Sequence, residues 1–378
     1  MHYRPYGTTG HDISVVAMGG MRFGRPEAID EMAEIPLYLY DHGVNYFDTA
    51  PGYCAAKSET ILGTAVKEMK RRGGPPFFVS TKTFAGSEAE VRKELDTSLE
   101  RLNVERIDFY HIWCIRTWQE WEERKAKGVL EAFRKVKDEG LVRHVVISTH
   151  LNSDDICRLI DEGPFEGILM GYCAANFAYR EQGAAAAHDK GLGVMIMNPL
   201  AGGTYWQSPE SFAFLKQRPG DDLLRGGLRF VVSNPNVTGA LVGVRSMDDA
   251  RATVQAVESM DLYGPQELAD LKRSIEKEFT SLCTSCQYCK DCPAEMPVPK
   301  LMDTANVLEF NATAAREVWG RLKYHWGIND LPAVVDACLD CGRCEEACTQ
   351  QLPIRQRLKR LKEAWHEAEA QIAAEKKS

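Results

Sequence analysis

Between residues 44 and 246 the chain alternates short apolar runs with longer polar stretches. The runs are VNYFDTA (44–50), FFVSTKT (77–83), IDFYHIW (107–113), VRHVVIST (142–149), GILMGYC (167–173), GVMIMNPL (193–200) and GALVGVRS (239–246). Runs this short and this continuously apolar suit strands buried on both faces, because a parallel sheet covered by helices has no solvent face. The stretches between them, such as 57–72, 87–102, 128–139, 153–162 and 180–190, place apolar residues at helical spacing. Gly140, Gly163 and Gly191 close three of them as C-terminal caps. With a first strand near Ser14–Gly20 the count reaches eight. Eight strand-then-helix units predict an α/β fold, a closed (β/α)8 barrel. An open doubly wound sheet is the alternative, but it uses fewer strands and a glycine-rich first turn, and no GxGxxG follows the first strand.

The texture changes after the last run. GPQELADLKRSIEKEFT (264–280) reads as a charged helix, and beyond it two helical patterns, 299–323 and 354–376, separate groups of cysteines without strand alternation. The boundary is expected within 262–282, giving a barrel over 1–262 and a small, mainly α-helical domain over 263–378. The final mixed-charge helix is expected to fray into a solvated tail.

Composition narrows the classes. A chain of 378 residues that is 44% hydrophobic and 26% charged can bury two cores, which excludes disorder. Its 46 basic and 54 acidic residues leave a net charge of −8, without the basic excess that a phosphate backbone demands, so no nucleic acid partner is expected. The start, MHYRPYGTTG, has no apolar signal region, and no stretch reaches the ~18 apolar residues of a membrane span, so a cytoplasmic location away from membranes is expected. Of twelve cysteines, Cys54, Cys114, Cys157 and Cys173 are scattered, whereas eight fall within 283–348. In a reducing compartment such clustering favours metal ligation over disulfides.

Side chains at the C-terminal ends of barrel strands converge on one mouth. Asp48, Lys82 and His111 lie near such ends and Tyr53 follows Asp48 by five residues. Reducing a carbonyl needs a hydride on carbon and a proton on oxygen. A phenol with its reference pKa near 10 is a poor donor near neutrality. A neighbouring ammonium would lower that value, and an aspartate would hold the ammonium in place. His111 could then hydrogen-bond the carbonyl oxygen.

The segments DTAPGY, STK and DFYHIW, in this order on consecutive strands, resemble the aldo-keto reductases over about residues 1–260. The resemblance implies Tyr53 as general acid, Lys82 and Asp48 as the groups that tune it, and His111 as the residue that positions the carbonyl. GVRSMDDAR resembles the family's phosphate-binding segment. It implies that Arg245, Ser246 and Arg251 hold the 2′-phosphate of NADPH, with two guanidiniums, a hydroxyl and a helix N-terminus suited to an anion. Ser148, Tyr172 and Asn176 are the further cofactor-binding candidates. Where many members carry Ser-Asn after the fifth strand and Gln after the sixth, this chain has Ser148-Thr149 and Gly171. Met21 and Trp113 are candidates for the substrate mouth.

The cysteines form two quartets, Cys283-x2-Cys286-x2-Cys289-x2-Cys292 and Cys338-x2-Cys341-x2-Cys344-x3-Cys348. They resemble ferredoxin-type 4Fe-4S modules, in which three cysteines at x2 spacing hold one cluster and the fourth serves the other. The resemblance implies two 4Fe-4S clusters, one on Cys283, Cys286, Cys289 and Cys348 and the other on Cys338, Cys341, Cys344 and Cys292. Zinc is the alternative, but unbroken triplets exceed what one tetrahedral ion uses.

The expected function is therefore interconversion of a small-molecule carbonyl compound and its alcohol with NADPH, alongside clusters for electron transfer and a ferredoxin or other redox partner. Two alternatives stay open: a ferredoxin-coupled electron-transfer protein, and an acid–base lyase or isomerase on the same barrel. A hydride carries two electrons and a cluster usually passes one, and no flavin signature bridges them.

Overall fold

The computed structural model describes residues 1–258, 260–278, 282–283, 289–348 and 351–376. Eight parallel strands close into a barrel: β1 (Val16–Gly19), β2 (Tyr46–Asp48), β3 (Phe78–Thr83), β4 (Ile107–Ile115), β5 (Val142–Thr149), β6 (Gly167–Gly171), β7 (Gly193–Met197) and β8 (Gly239–Gly243), with β8 paired back to β1. The (β/α)8 expectation holds. The helices follow the predicted stretches closely, for example Ser58–Arg72 for 57–72 and Glu88–Leu102 for 87–102.

A feature the apolar pattern did not announce is an N-terminal hairpin, Tyr3–Pro5 paired antiparallel with Asp12–Ser14. It sets Tyr6 against the barrel floor, where its ring lies 4.3 Å from that of Phe109. A Cβ at Gly167 or Gly193 would meet Tyr6 at 2.0 or 2.1 Å, so these two positions admit no side chain. Tyr6, Ala17, Tyr46, Phe78, Phe109, Val146, Leu169, Met195 and Leu241 fill the interior. Because side chains alternate along a strand, the residues two further on point to the same interior, nearer the C-terminal mouth. That arithmetic places Asp48 above Tyr46, Ser80 and Lys82 above Phe78, and His111 above Phe109.

Just before β6, Glu166 accepts from the backbone N–H of Val145 at 3.2 Å, faces His144 Nδ1 at 2.9 Å and pairs with Lys137. Burial alone would raise its carboxyl, but the bonds from His144 and Lys137 win and bring it to about 2. A carboxylate depressed on folding stabilises the native state above its unfolded pKa and loses that contribution as pH falls from about 4.3 toward 2. Glu166→Gln should therefore be destabilised relative to wild type at neutral pH by on the order of 2 kcal/mol, after allowance for solvent screening. The gap between the two proteins in urea unfolding should close as pH falls through that window.

The chain divides into two compact units that are not contiguous in sequence. One comprises Met1–Cys173, Gln182–Leu200 and Leu215–Leu268; the other comprises Ala174–Glu181, Ala201–Phe214 and Ala269–Ser378. The second unit is built on Val298–Phe310, Ala315–Gly320 and Ile354–Glu375, around Leu301, Met302, Val318, Leu322, Leu358 and Trp365. Its two early segments are tied into it: Phe212 lies 4.9 Å from Phe310, Tyr179 lies 5.9 Å from Trp326, and Tyr205 Oη accepts the Ala174 N–H at 3.0 Å. The expected helix over 299–323 breaks at Asn311, whose extended backbone and side-chain acceptor for Thr313 N–H and Oγ1 replace a helical turn. Among the described residues no helix is long and apolar enough to cross a membrane.

Candidate active site

Strand register assembles the quartet's buried half. Asp48 is opposite Ser80 across β2 and β3, and Lys82 is opposite His111 across β3 and β4. Lys82 is fully buried and Asp48 nearly so. The Lys82 ammonium donates to both carboxylate oxygens of Asp48 at 2.5 Å and to the Thr49 carbonyl at 2.7 Å. Ser80 Oγ donates to Asp48 Oδ1 at 2.7 Å and lies 2.9 Å from His111 Nε2. Burial raises the Asp48 carboxyl and lowers the Lys82 ammonium from their ordinary values, and each charge pulls the other back toward ionisation. A buried pair of this kind holds its charges because the geometry is two-pronged and the remaining lone pairs are bonded.

Tyr53 stands in the loop between β2 and the helix Ser58–Arg72, with its ring face 5.3 Å from the Lys82 ammonium. The three residues after it, Cys54, Ala55 and Ala56, are all left-handed, at φ of 53°, 52° and 64°. Each costs about 1–2 kcal/mol for a residue with a Cβ. Trp113 meets the Tyr53 ring edge-on at 5.4 Å and stacks on Phe84 at 4.0 Å. Arg124 fixes this wall by donating to the carbonyls of Ala85 and Trp113. Met21 is exposed beyond β1, and Phe84, which the sequence reading did not single out, is also exposed.

The structure corrects the expected tuning of Tyr53. Its phenol is pushed well above the ordinary value, first by burial and then by the Asp48 carboxylate. All three ammonium protons of Lys82 face Asp48 and Thr49, so the carboxylate offsets much of the cation's pull on the phenol. His111 is held well below its ordinary value by burial and by Lys82, and is neutral at pH 7.

The cofactor candidates scatter. Ser148 faces inward on β5, buried and with its hydroxyl unpartnered among the described residues. Tyr172, expected beside the nicotinamide, directly follows β6 and is buried; its hydroxyl takes a bond from Asn234 at 3.1 Å and its ring stacks 6.1 Å from Phe230. Asn176 belongs to the second unit. Arg245 and Ser246 precede the helix Met247–Glu258, where Ser246 Oγ accepts the Asp249 N–H at 3.2 Å. Arg245 pairs with Asp249 and Arg251 with Asp248, both guanidiniums remaining largely exposed. Gly24 donates to the Arg245 carbonyl at 2.9 Å, and a Cβ on Gly24 would meet that oxygen at 2.8 Å, so the loops after β1 and β8 lie in contact. Exposed guanidiniums at a helix N-terminus fit a phosphate that can displace the carboxylates.

In the second unit Cys283, Cys289, Cys292, Cys338, Cys344 and Cys348 pack partly buried against the apolar core, and Cys341 is exposed. Cys286 lies outside the described residues. Asn306 clamps the Cys283 backbone with two bonds of 2.8 Å, and Cys348 Sγ accepts the Leu352 N–H at 3.5 Å. Soft thiol donors on the rim of an apolar core, with backbone N–H groups aimed at sulfur, fit iron–sulfur ligation.

Comparison with known proteins adds two family matches. Residues 15–276 match the aldo/keto reductase family, and residues 282–352 match a 4Fe-4S dicluster domain. L-galactose dehydrogenase of Arabidopsis thaliana is 28% identical over 304 residues, covering 72% of this chain and 94% of that protein. The NADH-specific methylglyoxal reductase of Escherichia coli is 25% identical over 229 residues, covering 53% and 67% respectively. Among solved structures, the holo form of an aldo-keto reductase from Bacillus halodurans superposes with a TM-score of 0.60 at 23% identity, over 74% of this chain and 96% of that one.

Proposed function

Because this chain belongs to the aldo/keto reductase family and carries a 4Fe-4S domain, we propose that this oxidoreductase interconverts a small carbonyl compound and its alcohol with NADPH, while two 4Fe-4S clusters exchange electrons with a ferredoxin or similar one-electron carrier. The observation that carries the reading is the buried Lys82–Asp48 pair lying against the face of Tyr53. Bound NADPH supplies hydride to the carbonyl carbon, and bound clusters supply single electrons.

The chain's own residues supply the rest. Tyr53 keeps its proton throughout the neutral range because its pKa is raised. A developing alkoxide is a stronger base than a phenolate, so the transfer from Tyr53 Oη to the substrate oxygen still runs downhill. The fixed ammonium of Lys82, 5.3 Å from the ring, stabilises the phenolate left behind. Trp113, edge-on to the Tyr53 ring and stacked on Phe84, walls one side of that ring. Arg245, Ser246 and Arg251 would hold the 2′-phosphate, and Ser148 offers an unpaired hydroxyl to the carboxamide.

The two quartets would hold the clusters, Cys283, Cys286, Cys289 and Cys348 taking one and Cys338, Cys341, Cys344 and Cys292 the other. The thiols remain ligands in a reducing cytoplasm. The relatives named for methylglyoxal and L-galactose make small carbonyl compounds with an oxygen on the neighbouring carbon the first substrates to try.

The test is anaerobic purification followed by iron and acid-labile sulfide analysis and an NADPH titration. Two cubanes require about eight iron and eight sulfide per chain, a brown colour, and bleaching with loss of iron in air. Zinc without sulfide would overturn the cluster assignment. Methylglyoxal turnover driven by NADPH supports the reductase, whereas turnover without any external reductant would favour a lyase or isomerase.

A further inference from the structure

We infer that Ser80 is a positioning residue that locks His111 in one neutral tautomer, with its proton on Nε2 and a bare lone pair at Nδ1. Ser80 is two residues before Lys82 and therefore on the same inward face of β3. Its hydroxyl has one proton, and two acceptors compete for it: Asp48 Oδ1 at 2.7 Å and His111 Nε2 at 2.9 Å. An ionised carboxylate cannot donate, and Asp48 is kept ionised by two bonds from Lys82. The Ser80 proton therefore goes to Asp48, and only lone pairs remain to face His111. The proton between Ser80 and His111 must come from the imidazole. A neutral imidazole has one, so Nδ1 has none. In agreement, Nδ1 is buried and unpartnered among the described residues.

The direction of the whole chain follows from the ammonium: Lys82 donates to Asp48, Ser80 donates to Asp48, and His111 donates to Ser80. While Ser80 is in place, His111 has no imidazole proton for a substrate oxygen. That reverses the role of direct donor which the family resemblance implies, and leaves Tyr53 as the proton source. The tautomer stands on the hydrogen-bond geometry of Asp48, Ser80 and His111 together with a neutral imidazole; its consequence for turnover rests on the carbonyl-reduction reading above.

The test uses the full-length holoprotein labelled with 15N-histidine and purified without oxygen. Long-range 1H–15N correlation separates protonated from pyridine-type nitrogens, and His111 is identified by the signals lost in His111→Gln. We expect a protonated Nε2 and a pyridine-type Nδ1 near neutral pH. Ser80→Ala should replace this single pattern by exchange between tautomers, and Ser80→Thr, which keeps the hydroxyl, should retain it. A proton on Nδ1 in the wild-type protein, or an unchanged tautomer in Ser80→Ala, would overturn the assignment. If Ser80→Ala does not fold, the wild-type spectrum alone decides. The expected tautomer in a protein that does not reduce methylglyoxal supports the role of Ser80 and counts against the substrate reading alone.

Discussion

Tyr53→Phe should lower kcat/KM for carbonyl reduction by on the order of 10²- to 10⁴-fold, the range spanned by removal of a positioned general acid. The substitution removes one oxygen and keeps the ring, so the contact with Trp113 at 5.4 Å and the approach of Lys82 at 5.3 Å survive. Thermal unfolding should stay close to wild type, and the absorbance of the iron–sulfur domain should be unchanged. Steady-state kinetics with methylglyoxal and NADPH, run beside a melting curve, separates loss of the acid from loss of the fold. Full activity in Tyr53→Phe would remove Tyr53 from the mechanism. The raised pKa of the phenol sharpens the expectation, because the wild-type hydroxyl has no ionisation step of its own across neutral pH that could lower the rate on the alkaline side.

The second large effect is on stability. Lys82→Met leaves the Asp48 carboxylate buried with Ser80 as its remaining side-chain donor, and Asp48→Asn leaves the ammonium without its counter-charge. Either change should destabilise the barrel by about 3–5 kcal/mol, because an uncompensated charge stays in a place that water does not reach. The double variant Asp48→Asn/Lys82→Met should lose clearly less than the sum of the singles, since it removes both charges together. Urea unfolding of the four proteins gives the coupling energy. Single variants within about 1 kcal/mol of wild type would show that the pair is far more hydrated than its burial implies. All three variants should also lose carbonyl reduction: Lys82→Met and the double variant remove the cation beside the phenol, and Asp48→Asn removes the carboxylate that holds it in place.

Some of this site was legible in the chain. DTAPGY, STK and DFYHIW each end or follow a strand, and strand ends in a barrel can only converge on one mouth. Ser80 was missed although its signal was present. The inward alternation that marks Lys82 marks Ser80 as well, but a serine inside an apolar run reads as packing until its neighbours across the sheet are known. Tyr172 lies one residue beyond the end of β6, and its contacts with Phe230 and Asn234 come from elements distant in the chain. The direction of the Tyr53 shift was also out of reach, because it depends on where three ammonium protons point.

By itself the sequence determined the barrel, the helical region after it and the cysteine spacing, which follow from periodicity and from the covalent order of residue types. Only the tertiary structure decided that residues 174–181 and 201–214 belong to the compact unit of the C-terminal residues, that Lys82 pairs with Asp48, and that Ser80 joins Asp48 to His111. The physical reason is that periodicity fixes which face of an element a side chain occupies. Hydrogen bonds and charge compensation depend on register between strands distant in the chain, which no local pattern encodes.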